Sequence, residues 1–278
     1  MTAGIHSAAT TRPTEIAEGL AYLSGADPVM AALIAAHPGY DHDAWRAQLP
    51  VMDLFGCLVF QIVGQQISMT AAGAIMGRLT ARSKGRIPSP EQLRTLDEAT
   101  LREIGMSWRK AATLRDLAGR FTDGLLSEKG LAALSDEAVV AELTEVPGIG
   151  PWTVHGALLI HLRRADVVAT GDVMLQAVVQ KHYGLDHRPT EDEFLAIAQP
   201  WHPHGSLAAN LLFADAERDL TARAAEREAA RIARETARHQ REVARRERER
   251  VKEEQARLKA EQVAVLGTMR PVRKRTAR

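Results

Sequence analysis

An all-α fold is predicted by three features of the sequence: apolar residues recurring at helical spacing between glycine breaks, polar residues at helix-start positions, and almost no alternating extended runs. Leu54, Cys57, Leu58, Gln61 and Ile62 follow the i, i+3, i+4, i+7, i+8 rule with one polar exception, and Met69, Ala72, Ile75, Met76 and Leu79 resume it after Gly64-Gln65-Gln66. The spacing predicts a helix, a tight turn and a second helix. Gly105 closes the next short helix, Ser107 is placed as an N-cap, and Leu114, Leu117, Ala118 and Phe121 form an apolar face that runs up to Gly124. Ser135 opens a helix with Asp136 and Glu137 in its first turn, where carboxylates complement the helix dipole. Thr190 and Glu193 form a capping-box pattern after Gly184 has ended the preceding helix. Residues 166–170, DVVAT, read as extended, but one isolated run of this length does not make a sheet.

Composition narrows the function classes. The chain has 278 residues, is 45% hydrophobic and contains one cysteine, Cys57, in the apolar run LFGCLVF. An intrachain disulfide, a four-cysteine zinc site and a cysteine-ligated iron–sulfur cluster are excluded, and Cys57 reads as a buried, inert thiol. His202 and His204 flank Pro203 with no cysteine or acidic ligand beside them in sequence, so no metal is expected there. The first twenty residues lack a basic segment followed by a signal-length apolar run, and no stretch has the roughly 18 uncharged apolar residues of a membrane span. The expectation is an intracellular, cytoplasmic protein with no membrane partner.

Charge is divided unevenly. Residues 215–278 hold 19 Lys/Arg against 12 Asp/Glu, whereas residues 1–214 hold 17 against 23. An acidic body does not attract nucleic acid over a broad surface, so any DNA contact made by it is local, and backbone amides at helix N-termini are the natural means. From about Glu217 to Gln262 the residues are mostly Ala, Arg, Glu, Lys and Gln with opposite charges three or four apart, which predicts a long solvated helix. Sustained apolar a and d positions are missing, so a coiled coil is disfavoured and a monomer expected. The composition shift sets off a charged helix with a basic tail over residues 217–278; before it the expected division is an N-terminal arm over 1–28 and a helical domain over 29–216.

The chemistry concentrates in residues 143–179. Leu143 to Val146 end one helix, Pro147-Gly148-Ile149-Gly150 form a turn, and Pro151 suits the first turn of the next helix. Both glycines permit backbone conformations closed to other residues, and their missing side chains let the backbone approach a phosphate closely. A helix-hairpin-helix element of this kind, here residues 143–162, is a means of gripping a DNA strand without Lys or Arg. Taken alone, PGIG also suits a structural joint between two helices. Asp172 lies 22 residues after Gly150, at the start of a helix whose apolar residues are Val173, Ala177 and Val178, and by itself it reads equally as an N-cap.

The combination of P-G-I-G with an aspartate about twenty residues on resembles the helix-hairpin-helix (HhH-GPD) DNA glycosylase superfamily. LFGCLVFQIVGQQIS (residues 54–68), REIGMSWRKAATLRDLA (102–118) and WHPHGSLAANLLFADAE (201–217) are similar to three segments of its DNA-3-methyladenine glycosylase II branch, in the same order. The resemblance spans about residues 29–217 and implies a two-lobed helical glycosylase fold followed by the long charged helix. It implies that the protein acts on double-stranded DNA containing damaged bases, associates with the nucleoid, and hydrolyses the glycosidic bond of an alkylated purine after flipping the base out. Asp172 takes the place of the catalytic carboxylate, Gln66 of the wedge that fills the emptied stack, Gln65 of its support, and Gly148, Gly150 and Thr153 of the phosphate clamp. No cofactor is implied beyond a monovalent cation at the hairpin backbone.

Trp152 stands where bifunctional members carry a lysine nucleophile, and tryptophan forms no Schiff base, so a monofunctional hydrolase is expected. Its ring reads either as a wall of the damaged-base pocket or as purely structural. Gly156 and Phe213 stand where the branch often has an aromatic residue and a tryptophan. The base pocket is expected to draw on Trp152, Phe213, His155 and Trp108; the candidate replacements for the missing aromatic are Trp108, Phe60 and His155, each of which reads equally as core or surface. Two other functions stay open: a glycosylase of the same fold for other lesions, and a non-catalytic clamp that binds DNA through the hairpin. A coiled-coil scaffold driven by the charged helix is a third.

Overall fold

The computed structural model describes residues 13–268, whose regular elements are all helices, with no strand among them. In chain order the helices are α1 (Pro13–Ala26), α2 (Pro28–Ala36), α3 (Leu54–Gly64), α4 (Met69–Ala81), α5 (Pro90–Thr95), α6 (Glu98–Glu103) and α7 (Trp108–Thr122). They continue as α8 (Glu128–Ala132), α9 (Asp136–Thr144), α10 (Pro151–Ile160), α11 (Val173–Tyr183), α12 (Glu191–Ala198) and α13 (Gly205–Thr268). No described helix is long and apolar enough to cross a membrane.

Most starts carry the cap that their residues dictate. Ser68, Ser107 and Ser135 accept from the backbone N–H three residues on, Thr190 and Glu193 form the reciprocal capping box, and Gly184 ends α11 in the left-handed region at φ 66°. The expected helix, turn and helix over residues 54–79 are α3 and α4. Burial on α3 extends beyond one stripe to Leu54, Phe55, Cys57, Leu58, Val59, Gln61, Ile62 and Val63, which makes α3 the central rod of its lobe. Cys57 is fully buried there, and burial followed by the nearby Asp53 charge pushes its thiol up to about 12.

The compact unit ends at Glu217 and contains two hydrophobic cores. One is built on α3, α4 and α7 with α9 and α10, through Leu58, Ile62, Leu79, Leu114, Leu143 and Val154 among others. The second gathers Leu23 of α1, Met30 of α2, Leu175 and Val179 of α11, Phe194 of α12, Trp201, and Leu211 and Leu212 of α13. Within the expected N-terminal arm, residues 13–26 form α1, and Leu23 is fully buried in the second core, because an apolar residue on an amphipathic helix is removed from water there. Residues 1–12 of the arm lie outside the described residues, as does the basic tail beyond residue 268. The charged helix also starts earlier than its composition indicates. Its first residues, Ser206 to Leu212, pack into the unit, whereas residues 220–261 are exposed at every position and carry i,i+3 and i,i+4 pairs such as Arg231 with Glu228 and Glu235.

Two buried carboxylates tie the second core together. Asp27 accepts from the Trp201 indole at 2.8 Å, from the Tyr183 hydroxyl, and from the N–H of Val29 at 2.7 Å. Asp215, with 1% of its side chain exposed, meets His37 at 3.0 Å, His182 at 2.8 Å and Lys181 at 3.7 Å. Burial would raise the Asp215 carboxyl, but the His37 and His182 hydrogen bonds and the nearby charges outweigh it and hold the group below its ordinary value. An unfolded aspartate titrates near about 3.9. The stabilisation is therefore complete above that pH and is lost as pH falls through the lower folded value. Asp215→Asn is expected to destabilise the unit by about 2 kcal/mol, a fall in Tm of roughly 4–8 °C near neutral pH. Melting curves between about pH 5 and about pH 2 should converge for the two proteins as acid removes the wild-type advantage. A constant gap across that range would refute the assignment.

Candidate active site

The hairpin is anchored in the first core by Val146 and Ile149. After α9 the chain turns through Val146 to Gly150, with Ile149 N–H donating to Val146 O at 3.0 Å, and enters α10 at Pro151. The two glycines differ from expectation. Gly148 sits at φ 94°, where a Cβ would fall 2.2 Å from the Thr113 hydroxyl oxygen, so both conformation and space require glycine. Gly150 is extended at φ −111°, and a Cβ there would meet nothing within 4 Å. The fold itself thus has no need of glycine at 150, and the space beside it is open. Among the described residues the N–H groups of Gly150 and Trp152 have no acceptor, which leaves two first-turn donors facing outward.

Asp172 is the N-cap of α11. One carboxylate oxygen accepts from Met174 N–H at 2.8 Å and Leu175 N–H at 3.0 Å, and the other accepts from the Trp152 indole N–H at 2.7 Å. Capping and a site role are thus compatible, since the cap uses only one oxygen. Trp152 belongs to α10, whose Val154, Ala157 and Leu158 lie in the first core, and Asp172 caps α11, whose Leu175 and Val179 lie in the second, so this hydrogen bond spans the junction of the lobes. Trp152 is 37% exposed beside the carboxylate. Sequence reasoning missed this contact: indole offers a single donor, and nothing in the chain order indicates its acceptor. The helix opened by Asp172 buries Leu175, Val178 and Val179, whereas Val173 and Ala177, expected to face inward, are exposed.

The turn between α3 and α4 lies against the hairpin. Gln65 donates to Gly148 O at 3.1 Å and to the hydroxyl of the buried Thr153 at 2.9 Å. Gln66 is exposed and left-handed at φ 55°, a strained conformation for a residue with a side chain. Two residues of α7 complete this arrangement and were not singled out by sequence reasoning. The Lys110 ammonium donates to Val63 O at 2.8 Å and Gln65 O at 2.6 Å, and Thr113 donates to Pro147 O at 2.7 Å. Burial lowers the Lys110 pKa from its ordinary value.

The residues expected to form one base pocket are not gathered together. His155 lines a separate cleft of about 610 Å³ with Asp136, Asp166, Thr170 and Glu191, a cleft whose walls include neither Trp152 nor Asp172. Burial lowers the His155 pKa, outweighing the opposing charges of Glu191 and Asp136. On that side it faces α9, whose Asp136, Glu137 and Val140 line the same cleft. Trp108, 57% exposed in the first turn of α7, lies under the Arg102 guanidinium at 5.2 Å. Phe60 packs on the first core and Phe213 on the second, each partly buried.

Gly156, one turn beyond Trp152 on the same face of α10, explains the missing aromatic at that position. A Cβ there would fall 2.2 Å from the Gln61 side-chain nitrogen. Gln61 of α3, 9% exposed, occupies the room that a larger residue at 156 would need. The two histidines around Pro203 are engaged within the fold: His202 meets Asp166, and the His204 ring lies 5.1 Å from that of Tyr22.

Comparison with known proteins agrees with this geometry. The profile of the HhH-GPD superfamily of base excision DNA repair proteins matches residues 59–203. YfjP of Bacillus subtilis (strain 168) is 31% identical over 170 residues, which are 59% of each chain, so the match spans well under two thirds of that relative. DNA-3-methyladenine glycosylase 1 of Schizosaccharomyces pombe is 32% identical over 154 residues, 55% of this chain and 68% of the relative. The structure of the 3-methyladenine DNA glycosylase Mag1 of that yeast, in complex with abasic DNA, superposes with a TM-score of 0.64 at 27% identity over 70% of this chain and 94% of that one. The hairpin, the carboxylate that follows it and more than half of the chain thus fall under one description, and this protein belongs to the HhH-GPD superfamily of base excision DNA repair proteins.

Proposed function

We propose that the protein is a monofunctional DNA glycosylase that acts as a monomer on double-stranded DNA and hydrolyses the glycosidic bond of an alkylated, 3-methyladenine-type purine. The observation that carries the reading is the Asp172 carboxylate, fixed at the lobe junction by the indole of Trp152 and the first turn of α11. The free N–H groups of Gly150 and Trp152 receive a phosphate of the damaged strand, and the exposed turn at Gln66 fills the gap as the nucleotide leaves the stack. With the sugar beside Asp172, departure of the base generates an oxocarbenium-like cation, and the fixed negative charge stabilises it where it forms. Water then adds to the anomeric carbon, leaving an abasic site and the free base. An alkylated purine that carries positive charge is already a good leaving group, so this division of labour asks no general acid of the protein.

Trp152 supplies no amine, and the Lys110 ammonium is engaged by two carbonyls, so the reading includes no covalent intermediate and no strand cleavage. A monovalent cation at the hairpin backbone would sit beside the carbonyls of Pro147 and Gly148, which accept from Thr113 and Gln65, and no step depends on it. A same-fold enzyme for other lesions is favoured by one observation, the Gln61 carboxamide lying over Gly156 on the face of α10 that carries Trp152. The test is single-turnover incubation with methylated and with deaminated duplex DNA, chromatography of released bases, and gel analysis with and without alkali. Released methylpurines with strands broken only by alkali support the proposal. Hypoxanthine alone selects the second reading, and no released base from either duplex overturns both.

A further inference from the structure

We propose that Lys110 is a positioning residue that holds the strand-opening turn at Gln66 in register with the phosphate-binding hairpin; this rests on the glycosylase reading above. The α3–α4 turn carries its only strained backbone at Gln66, φ 55°, a conformation that persists only where its surroundings impose it. Gln66 is exposed and contributes no core contact of its own. What fixes the turn is the residue before it. The Gln65 backbone carbonyl accepts from Lys110 at 2.6 Å, and the same ammonium takes Val63 O at 2.8 Å, gripping the end of α3 on both sides of Gly64. A cation at the C-terminus of a helix also opposes its dipole, so the grip is electrostatic as well as geometric.

One turn further along α7, Thr113 donates to Pro147 O at 2.7 Å and fills the space that any side chain at Gly148 would need. Residues three apart share a helix face, so a single turn of α7 holds both DNA-facing elements. Gln65 closes the circuit from the other side, its side chain bridging Gly148 O and Thr153 while its carbonyl is held by Lys110. Neither α7 side chain has to touch DNA in this arrangement. Without Lys110, the hairpin keeps Thr113 and still binds phosphate, but the turn is free to relax at Gln66 and loses its fixed distance from the hairpin.

The measurement is equilibrium binding by anisotropy to two otherwise identical duplexes, one intact and one containing a stable abasic-site analogue, where a wedge gains most. Lys110→Met is expected to leave affinity for the intact duplex within about twofold and to cut the preference for the abasic duplex by about tenfold or more. Lys110→Arg, which keeps a charged double donor, should restore most of that preference. Melting temperature is followed for each variant, and if Lys110→Met is grossly destabilised, Lys110→Gln is read in its place. A wild-type preference that survives in both Lys110→Met and Lys110→Gln overturns this inference alone. Equal loss of affinity for both duplexes, in step with lost stability, also overturns it in favour of a merely structural lysine. A wild type that binds the two duplexes equally overturns the glycosylase reading and this inference together.

Discussion

Asp172→Asn is expected to slow base release about 10³-fold while duplex binding is retained or tightened. The estimate rests on one fixed charge: a carboxylate about 4 Å from a developing unit positive charge is worth about 4 kcal/mol at an effective dielectric of about 20, and about 1.4 kcal/mol corresponds to a factor of ten. Asparagine is as good an N-cap as aspartate, so α11 keeps its start. The substitution cannot keep all three hydrogen bonds, because Met174 N–H, Leu175 N–H and the Trp152 indole all donate, and an amide has one oxygen. With that oxygen held by the two backbone groups, the amide NH₂ faces the indole and the bond across the lobe junction is lost. Loss of a negative charge beside the DNA accounts for binding that holds or improves. The same substitution decides between a catalytic residue and a mere cap, since a cap-only Asp172 would tolerate asparagine. Single-turnover rates on methylated duplex, with anisotropy and melting curves in parallel, give the answer; a variant retaining more than about a tenth of the rate would remove Asp172 from the chemistry.

The two hairpin glycines are expected to fail in different ways. Gly148→Ala forces a side chain into left-handed backbone at φ 94° and against the Thr113 hydroxyl at 2.2 Å. Strain of about 1–2 kcal/mol and overpacking of about 1–3 kcal/mol predict a Tm lower by roughly 5–15 °C, together with lost DNA affinity. Gly150→Ala meets open space with allowed backbone, so its Tm should fall by no more than about 4 °C, the cost of a poorer N-cap. Its affinity for duplex DNA should nevertheless drop about tenfold or more, because the methyl group stands where a phosphate approaches the free amides. Melting curves and duplex titrations of both variants separate the effects. Wild-type affinity in Gly150→Ala would show that no phosphate comes close at that position.

The sequence by itself determined the local elements. The helix, turn and helix over residues 54–79, the caps at Ser107, Ser135 and Thr190, the hairpin at residues 147–150 and the long charged helix were legible because each depends on neighbours within a few positions: side-chain spacing at 3.6 residues per turn, a hydroxyl three residues before an orphan N–H, a proline at a first turn. Tertiary structure decided everything that depends on which faces meet. It set the Trp152 indole on Asp172, gave Lys110 and Thr113 the ends of two separate elements, placed Gln61 in the space over Gly156, and turned His155 away into another cleft. It also brought α1 into the second core and began α13 inside it, in place of the expected arm and free helix. The physical reason is common to these cases: a hydrogen bond or a steric exclusion between residues 20 to more than 150 positions apart leaves no periodic trace in the chain, and exists only once two packed cores have fixed the distance between its partners.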